Sequence, residues 1–303
     1  MDVIRPVTSP KTQPLLDPEF LRKLEQLQIV SRKIFAGKFK GERLSRRKGQ
    51  SVEFADYKNY TTGDDLRFLD WSVYARLDKL FIKLFREEED LDVTVLVDGS
   101  TSMDWGEPNK FWYARRLAAA LSYIALCNFD RVNLYAISDS IKTSVTGLRG
   151  RSQLRRVLSL LQDAKPLGRS NLGAACKRFA IQHRRKGVVI IISDFFDKSG
   201  YEESIRYLLA SGADIYALQI LSPWELQPDL AGDLKLIDVE DGDAAEVTVT
   251  AALLKQYKNT LNNFCRSLHD YCTARGITYL LTGTDVPADR LIMNYLRSRG
   301  LLR

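Results

Sequence analysis

The pattern of apolar and polar positions changes character near residue 91. Beyond it, short apolar runs alternate with stretches of helical period. "DVTVLVD" (92–98) and "GVVIIISD" (187–194) are apolar almost throughout, as expected of parallel strands covered by helices on both faces. "RVNLYAIS" (131–138) and "SIKTSVT" (140–146) lie close enough for a hairpin, and "ADIYALQIL" (213–221) reads as another strand. Helical periodicity marks 110–127, 152–164, 171–185 and 201–212. An irregular β-excursion over 222–250 turns at Asp241–Gly242, and a helix (251–275), a strand (277–281) and a helix (289–299) follow. This rhythm predicts an α/β domain over 91–303 built on a doubly wound, mostly parallel sheet.

Upstream the signals differ. Residues 1–14 hold Pro6, Pro10 and Pro14 without periodicity and read as a flexible lead-in. Asp17 before Pro18 is a helix start, and Leu21, Leu24, Leu27, Ile29, Val30 and Ile34 predict an amphipathic helix ending near Gly37. Residues 38–90 are charged and rich in short strand-like pieces and turns. "KLFIKLF" (79–85) suggests a strand approaching the main sheet. The expected division is therefore a lead-in (1–14), an N-terminal helix with a β-rich extension (15–90), and the α/β domain (91–303). No internal repeat or low-complexity segment is visible.

Composition narrows the class. The 303 residues are 45% hydrophobic and 27% charged, enough for a sizeable core, with a formal net charge of +7. Four cysteines without a CxxC pair point to free thiols in a reducing compartment, and two histidines argue against a histidine-rich metal centre. The N-terminus lacks the apolar core of a signal peptide, and no apolar run approaches the roughly 20 residues of a membrane span. The expectation is a cytoplasmic protein.

Candidate chemistry lies at the strand ends, where open parallel sheets bind ligands. Asp98 follows "VTVLV" and Asp194 follows "VVIIIS"; after a buried strand, an ionised carboxylate is costly unless paired or bound to a metal. Ser100 and Ser102 alternate with Asp98, so an extended loop aims all three at one point. Ser170 in "GRSN" (168–171) precedes a helix, and is expected to cap it while its hydroxyl faces the same crevice. Asp98, Ser100, Ser102, Ser170 and Asp194 are all oxygen donors, which suits a hard divalent cation: magnesium first, with manganese or calcium as alternatives. Few carboxylates among neutral oxygens would leave such an ion able to accept a partner's Asp or Glu.

"DGSTS" (98–102) resembles the D-x-S-x-S metal-ion-dependent adhesion motif of von Willebrand factor A domains. That resemblance implies a second-loop threonine, whose place Ser170 takes, and a third-loop aspartate, matched by Asp194. Serine for threonine keeps the hydroxyl but loses the methyl that restricts its rotamer. "GQSVEFADYKNYTTGDDLRFLDWSVYAR" (49–76) resembles the signature of domain-of-unknown-function family 58, bacterial proteins in which such a domain follows a charged extension. The resemblance spans about 38–240. It implies a von Willebrand factor A-like fold and association with a MoxR-type AAA+ ATPase, for which this chain would act as an adaptor or recruit a client. Many relatives carry membrane helices near the N-terminus, and none is legible here.

Asp64, Asp65 and Asp70 in "GDDLRFLDW" invite a catalytic role, but with Arg67, Trp71 and Arg76 nearby, and Glu53 upstream, a structural role locking the extension onto the domain is favoured. "KFKGERLSRRKG" (38–49) could meet phosphates, yet it lacks the interleaved aromatics of single-strand binders, so a nucleic-acid role rests on net charge alone. Met103, Phe195 and Phe196 are candidate rim residues for a partner, inward packing being the alternative for the two phenylalanines. His183 reads as a surface histidine. The enzymatic alternative is a metal-dependent phosphatase or hydrolase on a similar sheet. Ser100 stands where a haloacid-dehalogenase-like phosphatase needs its second aspartate, and no G-x-x-x-x-G-K-[ST] loop is present. The favoured expectation is a non-catalytic, metal-dependent protein-interaction module.

Overall fold

The computed structural model describes residues 14–31, 53–86, 91–183, 187–230, 232–238, 240 and 243–303. Most of the proline-rich lead-in, the basic 38–49 stretch and the Asp241–Gly242 turn lie outside them. The chain divides into two compact units, Met1–Gly37 with Leu91–Arg303, and Lys38–Asp90.

In the first unit, helix α1 (Pro18–Leu24) starts where its sequence signal places it, with Asp17 Oδ1 accepting the Phe20 N–H at 2.8 Å. It ends well before Gly37. Ile29 instead forms an antiparallel bridge with Leu302, and the Gln28 and Arg303 backbones exchange hydrogen bonds of 3.2 and 2.9 Å. Up to residue 31 the apolar spacing that suggested a continued helix is met by an extended segment, and residues 32–37 of that expected helix lie outside the described residues. Phe20, Leu24, Leu27 and Ile29 join the same core cluster as Leu117 and Leu121. The N-terminal helix thus belongs with the α/β domain rather than with the extension.

The second unit is built on strands β1 (Glu53–Asn59) and β2 (Phe81–Arg86), which pair antiparallel with Tyr57 opposite Lys83. The "KLFIKLF" strand therefore forms this hairpin-like ladder and is not a strand of the main sheet. Helix α2 (Trp71–Leu77) lies between the two strands in sequence; Asp70 caps it by accepting from the Ser72 and Val73 N–H groups.

The main sheet has six strands, β3 (Asp92–Asp98), β4 (Arg131–Ile137), β5 (Ile141–Leu148), β6 (Val188–Ser193), β7 (Asp214–Leu221) and β10 (Thr278–Gly283), in the order β10-β7-β6-β3-β4-β5. All pairs are parallel except β4–β5, the expected hairpin. The remaining strands β8 (Gly232–Ile237) and β9 (Ala244–Val249) form a separate hairpin, which is the predicted β-excursion.

Alternation places Val93, Val95 and Val97 of β3 in one core cluster and Leu96 in the other. Helices α3 (Lys110–Cys127) and α4 (Leu154–Asp163) belong to the first layer. Helices α5 (Leu172–Gln182), α6 (Glu202–Ala210) and α8 (Ala251–Thr273) contribute to the second, with the short α7 (Pro223–Leu226) following β7. This is the doubly wound α/β architecture expected from the sequence. Its strand order reverses between β3 and β6, where chain connections leave in opposite directions and open a crevice at the carboxyl ends.

Candidate metal centre at the strand ends

Asp98 ends β3 and Asp194 follows β6, so two neighbouring parallel strands deliver both acids to the switch point. Both are fully buried. Three loops are knitted together around them. Thr101 donates from its N–H (3.0 Å) and its hydroxyl (2.9 Å) to the Gly168 carbonyl, and the Leu167 N–H returns a 2.8 Å bond to the Gly99 carbonyl. The "DGSTS" and "GRSN" loops are therefore fixed in register. The third loop is held by Gln219, whose amide donates to the Asp194 carbonyl at 2.9 Å.

Within this frame Asp98 Oδ1 accepts the Ser100 N–H (2.9 Å) and Oδ2 accepts the Ser193 hydroxyl (2.6 Å). The Ser100 and Ser102 hydroxyls lie 3.0 Å apart. Burial and the charge of Asp194 push the Asp98 carboxyl up to about 7, outweighing the hydrogen bonds from Ser193 and Ser100.

Asp194 is held differently. Its Oδ1 accepts the Phe196 N–H (3.0 Å), and its Oδ2 accepts from Lys110 Nζ at 2.7 Å. Lys110 begins α3, where Asn109 caps the helix and aims the lysine inward. Its ammonium also meets Glu225 Oε1 at 2.6 Å, while Glu225 Oε2 closes a capping box on the Ser222 N–H. Burial works against the Lys110 charge, but the Asp194 and Glu225 carboxylates outweigh it and hold the group above its ordinary value.

Ser170 lies buried, and its hydroxyl has no hydrogen-bond partner among the described residues. An unsatisfied buried hydroxyl costs about 1–3 kcal/mol, so it fits a donor poised for a ligand. The Ser170 N–H donates to Glu240 Oε1 at 3.2 Å. Burial raises the Glu240 carboxyl; the Ser170 N–H opposes this, the charges of Asp194 and Asp238 add to it, and the Ser102 hydroxyl draws it back. The Lys110 ammonium thus bridges Asp194 and Glu225, while Glu240 meets the second loop at Ser170. The donor set of acids and serine hydroxyls is all oxygen, which fits a hard cation. Among the described residues no group of three or more His, Cys, Asp and Glu side chains converges on one point, so such an ion would depend on serine hydroxyls and water.

Two of the expected rim residues face inward. Met103 and Phe195 are wholly buried, Phe195 at a left-handed φ of 61° that turns its ring into the second core cluster. Phe196 is half-buried, its ring 5.4 Å from that of Phe264 and 5.6 Å from the Lys110 ammonium. His183 is not a surface residue: its side chain is 11% exposed, stacks on Phe179, and reaches Asp92 through Nε2 at 3.1 Å. Thr94 Oγ1 approaches the same nitrogen at 3.5 Å.

The signature acids of the extension find partners inside it. Asp64 accepts from Thr61 and Lys58, Asp65 pairs with Arg67, and Asp70 meets the Tyr57 hydroxyl and Lys83. Trp71 is 66% exposed with its ring edge-on to Tyr74, and Arg76 lies in the last turn of α2. Glu53 opens β1.

Lys110, Ser193, Glu225 and Glu240 escaped the sequence reading. Lys110 carried a faint signal, a cation leading an otherwise apolar helix just after the "DGSTS" loop. Glu240 carried none, because its approach depends on how the β8–β9 hairpin folds back.

The family described as "Protein of unknown function DUF58" matches residues 56–263. An uncharacterised protein of Mycobacterium tuberculosis is 26% identical over 242 residues, covering 78% of this chain and 76% of its own length, and one of Mycobacterium bovis matches to the same extent. Among solved structures, the conserved hypothetical protein BatB of Bacteroides thetaiotaomicron aligns over 69% of this chain and 98% of its own, at 14% identity and a TM-score of 0.40. The VWA domain of SpRpn10 aligns over 67% and 94%, at 12% identity and a TM-score of 0.39. The family match spans more than half of the sequence, and the chain belongs to the DUF58 family.

Proposed function

We propose that this DUF58 member is a metal-dependent protein-interaction module of the von Willebrand factor A type. The observation that carries the reading is Ser170: a buried hydroxyl without a hydrogen-bond partner among the described residues, on a loop hydrogen-bonded to the loop that bears Asp98, Ser100 and Ser102. Asp98 and the three serine hydroxyls would hold a magnesium ion, with manganese or calcium as alternatives. Asp194, already engaged by Lys110 and the Phe196 N–H, would act beside the ion and anchor the third loop. Bound there, the ion would supply an open coordination position for a carboxylate from a partner.

The rest of the site favours recognition. The loops are fixed by backbone hydrogen bonds and a buried ion pair, giving a rigid platform that needs little reorganisation to bind. The partner we propose is a MoxR-type AAA+ ATPase or its client, on the strength of the family's association, with this chain as adaptor in assembly or maturation of a complex. No helix of the described residues is long and apolar enough to cross a membrane.

The test is a pull-down from the native cytoplasm on the immobilised full chain, with magnesium or EDTA, comparing wild type with Ser100→Ala and Asp98→Ala. Calorimetry of magnesium binding runs alongside. The expected result is capture of an AAA+ ATPase or its client by wild type only, and only with metal. Equal capture by all three proteins, unaffected by EDTA, would sink the reading.

A further inference from the structure

The β8–β9 hairpin forms its own two-stranded ladder, outside the six-stranded sheet. Polar contacts join its tip to the second loop of the site. Glu240 in that tip accepts the Ser170 N–H through Oε1 (3.2 Å), and its backbone carbonyl accepts from Arg169 Nε at 3.4 Å. The turn is shaped by Asp238, which accepts the Glu240 N–H at 2.8 Å and pairs with Lys198 Nζ at 2.8 Å. Lys198 is 62% exposed, and ion pairs of that kind contribute about 0–1 kcal/mol. A carboxylate is thus delivered to the hydroxyl side of the site by the hairpin tip.

We infer that Glu240 is the site's internal carboxylate ligand, occupying the position that a partner's Asp or Glu must take, so that an acidic partner binds by displacing the hairpin tip. The inference rests on the metal-dependent reading above. The second loop supplies two features to the same spot, the Ser170 N–H that holds Glu240 and the Ser170 hydroxyl that has no hydrogen-bond partner among the described residues. A carboxylate there can bond the N–H with one oxygen and face a cation held by the hydroxyls with the other. The binding-competent fraction of the protein is then the fraction with the tip displaced. Apparent affinity for an outside carboxylate falls by that fraction, about 10- to 100-fold if roughly 1–10% of molecules are open. The hairpin therefore sets a threshold against weak acidic peptides and leaves the site to partners that also engage the hairpin or its surroundings.

The experiment uses the full chain with manganese as the probe ion and acetate as the probe carboxylate. Manganese affinity is read by electron paramagnetic resonance, and acetate binding by loss of the relaxation signal of manganese-bound water. Glu240→Gln and Glu240→Ala are compared with wild type and Ser100→Ala, with circular dichroism confirming the fold of each. In both Glu240 variants manganese should bind several-fold more weakly, and acetate should displace water at concentrations ~10- to 100-fold lower than in wild type. If both variants match wild type in the two measurements while Ser100→Ala loses manganese, this inference is overturned and the metal site stands. If wild type itself binds no manganese, the metal reading falls and this inference falls with it.

Discussion

The Lys110 ammonium lies 2.7 Å from Asp194 Oδ2, with the two side chains 1% and 0% exposed. Such a pair is held in place by what breaking it would leave behind. Removing one partner of a buried ion pair strands the other charge in a low-dielectric interior, typically at a cost of 3–5 kcal/mol. Lys110 also neutralises Glu225, so its loss strands two carboxylates.

Lys110→Met should therefore lower stability in EDTA by about 3–5 kcal/mol in urea unfolding. Adding magnesium should recover part of that loss, because a cation near Asp194 takes over some of the lysine's electrostatic role. A loss below about 1 kcal/mol would show that the pair is not a structural anchor.

Ser170 calls for the opposite outcome. Its hydroxyl is buried and lacks a hydrogen-bond partner among the described residues, so Ser170→Ala removes an unsatisfied group while leaving a cavity no larger than one oxygen. Stability in EDTA should hold or rise by up to about 1 kcal/mol, while magnesium affinity by calorimetry falls about tenfold or more. Ser170→Thr should retain the affinity, since it keeps the hydroxyl. Losing stability in EDTA, with magnesium binding unchanged, would mark Ser170 as structural.

Much of this site was legible because its logic is local. An acid at the end of an apolar run must sit at a strand terminus, so Asp98 and Asp194 could be placed from the alternation of strands and helices; Ser100 and Ser102 followed from spacing, and Ser170 from its place before a helix and the family resemblance. What failed depended on distant partners. A continued helix was expected through Ile29, whose actual partner is Leu302 at the other end of the chain. Lys110 looked like any solvated cation in a first helical turn until two carboxylates from later loops closed over it. Met103 and Phe195 followed polar motif residues and so resembled rim positions. Backbone turns, left-handed in the case of Phe195, point them into the core instead.

In the extension, Asp70 gives a pH prediction of defined sign. Hydrogen bonds from Tyr57 and then Lys83, aided by the Val73 and Ser72 N–H groups, hold its carboxyl down at about 2, against an ordinary value of 3.8. A depressed folded-state value means the ionised form stabilises the unit. That contribution is present above about pH 4 and is lost as the pH falls towards 2. Carbon-13 titration of the carboxyl should give a midpoint near 2, and Asp70→Asn should flatten the acid limb of thermal stability that this residue causes. A midpoint near the ordinary value would show that the Tyr57 and Lys83 contacts do not persist in solution.

The last prediction concerns the N-terminal helix, whose Leu24 is wholly buried in the same cluster as Leu117 of α3. A leucine truncated to alanine in such a core loses transfer energy and leaves a cavity, at a cost of about 2–5 kcal/mol. If α1 is an integral part of the α/β domain, Leu24→Ala should shift the whole domain's urea transition by that amount as one cooperative step. The shift matters for function because α3, which α1 packs against, also carries Lys110 in its first turn: the Arg116 guanidinium of α3 lies 5.4 Å from the centre of the Phe20 ring. A separate early transition confined to the N-terminus, with the main transition unmoved, would show that α1 docks on a domain able to fold without it.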